Sequence, residues 1–430
     1  MEDNIKIILD WNFKKNDDTS SLKIKDNIIK YKPDNEKQIY DGIKISNSSD
    51  KYNKLKNNKV EQKKIRNAGV DIIRLIGMYG IIINHLLYLY DKGGIVKYSK
   101  YSKYLKIIHI FTFWHNNGFI LISGIVGYKS FKYSNLFYLW SEVFFYSVSI
   151  NIYFKIFHKD SYITRDLYKE FFPIIFKGYW FFSAYFGMYL FLPVINAGIP
   201  ILNKKDFRLM VFTMLFIFVV WRDINNPNED VFDMKLGFSL IWLLTFYITG
   251  AYIGKHIIIF SGVKKYIFCL ICLLLYLFLN YLFFFVHNNT LNLENKFYKR
   301  KIMIFLKQIL TERYDSILKV IQSICICLFF LQINYNKYIK KIICFSGPLV
   351  FGIYLIHNNH LVKRNIIKYS FDNEPENISL YSAIALILLK SLKIFVFCII
   401  IDYFRNLLFI FLRIRKICII LESILKKIIS

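Results

Sequence analysis

Acidic side chains are scarce in this 430-residue chain, with 30 Asp and Glu against 58 Lys and Arg. Charge of either sign is thin, at 20% of residues. A soluble domain needs a polar exterior. A chain that is 55% hydrophobic and 19% aromatic, with a mean hydropathy of +0.35, cannot supply one. Cysteine is sparse and odd in number: there are seven, and most lie inside apolar runs, as Cys269, Cys272, Cys325 and Cys398 do. That excludes a secreted disulfide scaffold. No apolar stretch follows a short basic start, so the N-terminus does not read as a signal peptide. No internal repeat is visible, which weighs against transporters built from inverted repeats. What remains is an all-α polytopic membrane protein, because runs of about 20 apolar residues recur and such runs span a bilayer.

Residues 1–68 are polar, and the first 70 residues hold 16 Lys/Arg and 11 Asp/Glu with little periodicity, the mark of a disordered arm. Residues 69–412 alternate apolar runs with short polar loops, and 413–430 form a basic tail. About ten spans are expected, near 70–89, 107–128, 136–157, 178–198, 208–222, 236–254, 265–286, 317–333, 342–361 and 383–405, with a shift of the last to 394–412 also open. An even number puts both termini on one side. With that side cytoplasmic, the inner loops 129–135, 199–207, 255–264 and 334–341 carry mostly Lys, and Asp206 is their only acid. The outer loop 90–106, with five Lys, runs against this trend. The net charge of +28 is spread over the arm and the loops, and no nucleic-acid motif gathers it. Anionic membrane lipids are the better partner for it, and nucleic acid is not expected.

A charged group at a helix centre costs roughly 2.5–3.5 kcal/mol on insertion scales, so polar residues inside spans mark tasks or partners. Arg74 and His85 stand eleven residues apart in the first span. At about 100° per residue they share one helix face, separated by a rise of about 16 Å. A cation near one end and an imidazole toward the other suit an anionic ligand entering from one side and proton transfer farther along. A snorkelling Arg and a His satisfied by a neighbouring helix would give the same pattern. In the second span, Asn117 and Ser123 can hydrogen-bond between helices and Gly124 permits close packing. Glu142 in the third span lies at the expected depth of Arg74, so an ion pair between them is expected. His357 and His360 have a spacing that could hold a metal, but no third ligand stands nearby and no metal is expected.

Four segments in order resemble the acyltransferase 3 family of membrane O-acyltransferases. They are Arg74-x10-His85, the stretch Asn117-Gly-Phe-Ile-Leu-Ile-Ser123-Gly124, the helix Tyr179-Trp180-Phe181-Phe182-Ser183-Ala184-Tyr185 running on to Pro193, and Phe351-Gly352-Ile-Tyr354-Leu-Ile-His357. The likeness spans about 75–410. It departs from the family after the second span, where many members carry an Arg-x-x-Arg pair and this chain has Lys129 and Lys132, point charges without the bidentate fork.

The resemblance implies acyl transfer, most often of acetyl from acetyl-CoA, to a hydroxyl of a cell-surface glycan or lipid-linked sugar. His85 is then the expected catalytic base or a transient acyl carrier. Arg74 pairs with a CoA phosphate or polarises the thioester carbonyl. Asn117, Ser123, Glu142, Trp180, Tyr185, Tyr354 and His357 are candidates for binding donor or acceptor, although an aromatic belt explains Trp180 equally well. The rival reading is a transporter or flippase of glycans or lipids. The lack of repeats and of broken mid-membrane helices is expected to tell against it.

Overall fold

A computed structural model describes residues 66–88, 93–158, 168–176, 178–225, 230–256, 260–290 and 313–429. The polar arm expected over 1–68 lies outside them except for its last three residues. Every regular element among the described residues is helical. In chain order the main helices are α1 (Ala68–Tyr88), α2 (Ser102–Thr112), α3 (His115–Gly127), α4 (Tyr133–Phe157), α5 (Trp180–Gly198), α6 (Lys204–Leu215), α7 (Leu240–His256), α8 (Gly262–Thr290), α9 (Ile317–Gln332), α10 (Lys337–Ser346), α11 (Val350–His357), α12 (Leu380–Phe411) and α13 (Ile414–Ile429). Each of the ten expected spans is occupied by helix. Five are long and apolar enough to cross a membrane by length and composition: α1, α5, α8, the run Lys337–His357 that joins α10 to α11, and α12.

Lipid offers no partner for a backbone amide, so an apolar run there must close its hydrogen bonds within a helix. The outward faces of α8 and α12 show the other half of that rule. Leu270, Leu274, Phe278, Phe397, Ile400 and Phe404 are all exposed. Polar caps set several helix starts: Asn203 accepts from the Asp206 amide at 2.9 Å and Ser379 from the Ser382 amide at 3.1 Å. α12 covers 383–405 whole and the alternative 394–412 but for its last residue. The expected basic tail is the amphipathic helix α13, laid against α4. There Glu422 accepts from the Ser134 amide at 3.1 Å and Arg415 donates to Asn135 at 2.5 Å.

The second span is a correction. It is not one helix but two, α2 and α3, interrupted at Phe113–Trp114. The interruption frees backbone carbonyls, and side chains from α8 and α9 fill them. Lys319 and Gln322 donate to the Ile110 carbonyl at 3.1 and 3.4 Å, and the Tyr276 hydroxyl donates to that of Phe111 at 2.5 Å. Non-helical backbone survives inside a membrane protein where the protein itself supplies the partners.

Close crossings bring the rest of the bundle together. α3 and α7 meet along Gly124, Gly250 and Gly254; a methyl on Gly254 would stand 2.5 Å from the Ile125 carbonyl, and one on Gly124 would collide with the Tyr247 backbone. Small residues allow this backbone approach. α11 is held to α1 and α12 in the same way. Gly347 lies against the Asp71 carboxylate and Gly352 against that of Asp402. The start of α11 is therefore pinned beside the start of α1, and its far end arrives beside His85.

Candidate active site

His85 and His357 are the centre of the arrangement. Their ring centroids are 5.2 Å apart. His357 is fully buried at the last turn of α11, and its Nδ1 lies 2.6 Å from the Ile353 carbonyl one turn back. A carbonyl only accepts, so Nδ1 carries the proton and Nε2 carries the lone pair. That Nε2 is buried without a hydrogen-bond partner, and so is Nδ1 of His85. Buried polar atoms are almost always bonded, so these two rings keep hydrogen-bonding capacity that the described residues do not use.

Three groups bear on His85 electrostatically: His357, His115 at the start of α3, and Lys363. Lys363 also bears on His357. It sits in the π-helical turn Lys363–Ile367 that follows α11, and burial pushes its ammonium down to about 8. On the other side Asn84 organises a bonded network. Its Nδ2 donates to His115 Nε2 at 3.0 Å, and its Oδ1 accepts from His109 Nδ1 at 3.0 Å and from Thr112 Oγ1 at 2.8 Å. Tyr354 completes the wall. Its ring lies 6.3 Å from that of His357 and 5.8 Å from that of Tyr179, whose hydroxyl is tied to the Leu355 carbonyl and to Asn359.

The other expected site residues fall into separate places. Arg74 pairs with Asp71, at 2.9 Å and one turn away. Tyr185 on α5 feels the Arg74 charge and lies beside Ser123, whose hydroxyl bonds back to the Phe119 carbonyl at 2.8 Å. Arg74, Ser123 and Tyr185 are thus one group, toward the start of α1. Asn117 is buried and bridges three elements: it donates to the Tyr314 carbonyl at 2.7 Å and accepts from Trp242 Nε1 at 3.0 Å. Trp180 packs on Phe238 at 4.6 Å and on Phe181 at 5.5 Å.

The expected ion pair between Arg74 and Glu142 is not formed. Glu142 accepts from Arg405 Nη1 at 2.9 Å instead. Arg405 also grips Asp402 through Nε and Nη2, at 2.9 and 2.7 Å, and Tyr146 donates to Asp402 at 2.8 Å. The physical reason is competition: a guanidinium one turn from Asp402 on α12 reaches Glu142 directly, and Arg74 already has Asp71. Asp402 and Arg405, three residues apart inside an apolar run, carried a readable signal, since such a pair is costly in lipid unless partnered. Lys363 carried none. It falls among other basic residues just past a span, and only the π-helical turn brings it back over the histidines.

These features define an integral, multi-pass helical membrane protein in which two histidine rings meet between helices. The Acyltransferase domain pattern matches residues 67–403, and the chain belongs to the acyltransferase 3 family, whose members are acyltransferases. No curated protein and no solved structure gives a significant match.

Proposed function

We propose that the protein is an O-acyltransferase that moves acetyl from acetyl-CoA to a hydroxyl of a cell-surface glycan or lipid-linked sugar, in the plasma membrane and with both termini cytoplasmic. The observation that carries this reading is His85: a half-buried imidazole whose Nδ1 is buried and unbonded, on the face of α1 that also bears Arg74. In the step proposed, the acceptor O–H bond breaks and its proton passes to His85. The oxygen attacks the thioester carbonyl, and the tetrahedral intermediate collapses with loss of the CoA thiolate. That thiolate takes the proton back from His85. Arg74 meets the donor about 16 Å away along α1. The long flexible arm of an acyl-CoA suits such a separation between an anionic head and a reacting carbonyl. Tyr185 and Ser123 flank the donor path, and Tyr354 and His357 the reacting end. Glu142, Asn117 and Trp180 act on the substrates through the scaffold they hold.

The interrupted second span gives the transporter reading one specific observation, because broken helices line translocation paths. Here the freed carbonyls are filled by Lys319, Gln322 and Tyr276, which supports a closed scaffold. The two readings separate in sealed vesicles carrying the purified protein and native membrane glycolipids. Labelled acetyl-CoA added outside yields labelled glycolipid if the chain is an acyltransferase. Glycolipid that crosses the bilayer unmodified, with no label acquired, favours the transporter. Arg74→Lys keeps the charge and loses the fork, so it should raise KM for acetyl-CoA about tenfold. An unchanged KM would reassign Arg74.

A further inference from the structure

Resting on the reading of His85 as the catalytic imidazole, we infer that His357 is a positioning residue: it holds His85 in the tautomer that leaves Nε2 free to take the acceptor's proton. Of the three ionisable groups whose charge bears on His85, only His357 has a ring in contact with it and an acceptor atom to spare. The ring needs an acceptor for a proton on Nδ1, which is buried and unbonded. Lys363 offers no lone pair when charged. His115 offers Nε2, but that atom already accepts from Asn84 Nδ2 at 3.0 Å. His115 Nδ1 is then the protonated nitrogen and donates to Asn116 Oδ1 at 3.2 Å. His357 is different. Its Nδ1–H is fixed on the Ile353 carbonyl, so its Nε2 is an obligate acceptor, and it is vacant.

With centroids 5.2 Å apart, a change of His85 rotamer or one bridging water joins the two atoms. The chain then reads Ile353 C=O, His357 Nδ1–H, His357 Nε2, His85 Nδ1–H, His85 Nε2, acceptor hydroxyl. A base oriented by a third group is the general arrangement of an activated nucleophile. Here a neutral imidazole, itself anchored to a helix carbonyl, does what a carboxylate does elsewhere. The proton accounting is closed: one proton moves from acceptor oxygen to His85 Nε2, the resulting imidazolium keeps its Nδ1–H on His357, and Nε2 returns the proton to the leaving thiolate. The placement of α11 is what brings the ring of His357 to this height. Its start is pinned by Gly347 on Asp71 and Gly352 on Asp402, which sets the height of His357 against α1.

The test compares two amides at one position in the full-length protein, purified and supplied with labelled acetyl-CoA and native membrane glycolipids. His357→Asn places a donor where Nδ1 is and keeps the bond to Ile353, but it has nothing at the position of Nε2. His357→Gln places an acceptor where Nε2 is. We expect kcat to fall by about 100-fold in the Asn variant, with KM for acetyl-CoA changed by less than about twofold, and to recover at least about tenfold in the Gln variant. Equal kcat in the two variants, or a wild-type kcat in His357→Asn, overturns the role of His357. His85→Ala run alongside keeps the two claims apart. If it is inactive while His357→Asn is normal, the reading of His85 stands and this inference falls. If it is fully active, the reading of His85 itself falls.

Discussion

Two buried polar clusters lie along the same stretch of α11 and differ in how completely they are bonded. Around Gly352, Arg405 is bound to Asp402 through two nitrogens and to Glu142 through a third, and Tyr146 closes on Asp402. Only Oε2 of Glu142 is left over. Five residues on, about 7.5 Å along the helix, His357 and His85 face each other with a nitrogen unbonded on each. A cluster that uses nearly all its lone pairs holds helices in register and has nothing left for a ligand. A cluster that keeps lone pairs vacant is poor glue and has capacity for chemistry. The difference separates two costly groups of polar atoms in lipid: one secures α4, α11 and α12, and the other is the one to which we assign the chemistry.

The first way to break that comparison has the largest effect. Arg405→Leu strands Glu142 and Asp402 without their cation and should lower stability by about 3–5 kcal/mol, because removing one partner leaves buried charge uncompensated. Thermal unfolding in detergent measures it, and a variant as stable as wild type would show that the cluster is not structural. Gly352→Ala comes next. The added methyl meets the Asp402 carboxylate, and forced overpacking costs about 1–3 kcal/mol. It should also lift α11 and so misplace His357, lowering acyl transfer more than its stability cost explains. His85→Ala, by contrast, should leave the melting temperature within a few degrees of wild type, since it removes a ring with an unbonded buried nitrogen.

The smallest effect concerns Lys363, whose ammonium burial pushes down to about 8. In the unfolded chain the same group titrates near about 10.4. Between those values the unfolded state binds more protons, so stability rises as pH climbs from about 8 to about 10.4. Lys363→Met should be more stable than wild type at pH 7 and should flatten that rise. Unfolding curves at pH 7, 8.5 and 10 decide it, and identical pH dependence in the two proteins would contradict the burial of this charge.

Much of the architecture was legible because apolar runs in lipid have few alternatives. Each expected span is helical, and His85 and Arg74 stood out as polar groups on one face. Contacts between distant segments were not legible. The break at Phe113–Trp114 is stabilised by Lys319, Gln322 and Tyr276, from helices more than 150 residues away, so no local pattern announces it. The Arg74–Glu142 pair failed for the same reason: depth along a span says which residues share a layer, not which of them turn toward each other. Asp402 and Arg405 were readable as charges in an apolar run, as were Lys390 and Lys393 nearer the start of that span, but not which partner each would find. Lys390 meets Glu374 at 2.6 Å outside the helix. The meeting of His357 with His85 depends on two glycines setting the height of α11, a fact visible only once the helices are packed.

The central claim is that His85 performs acyl transfer. Purified wild-type protein and His85→Ala, matched for folded monodisperse protein, are given labelled acetyl-CoA with native membrane glycolipids in detergent or vesicles. The account predicts CoA release and label on glycolipid with the wild type, and at least about a 100-fold loss in His85→Ala. Acyl transfer at the wild-type rate by His85→Ala would contradict it.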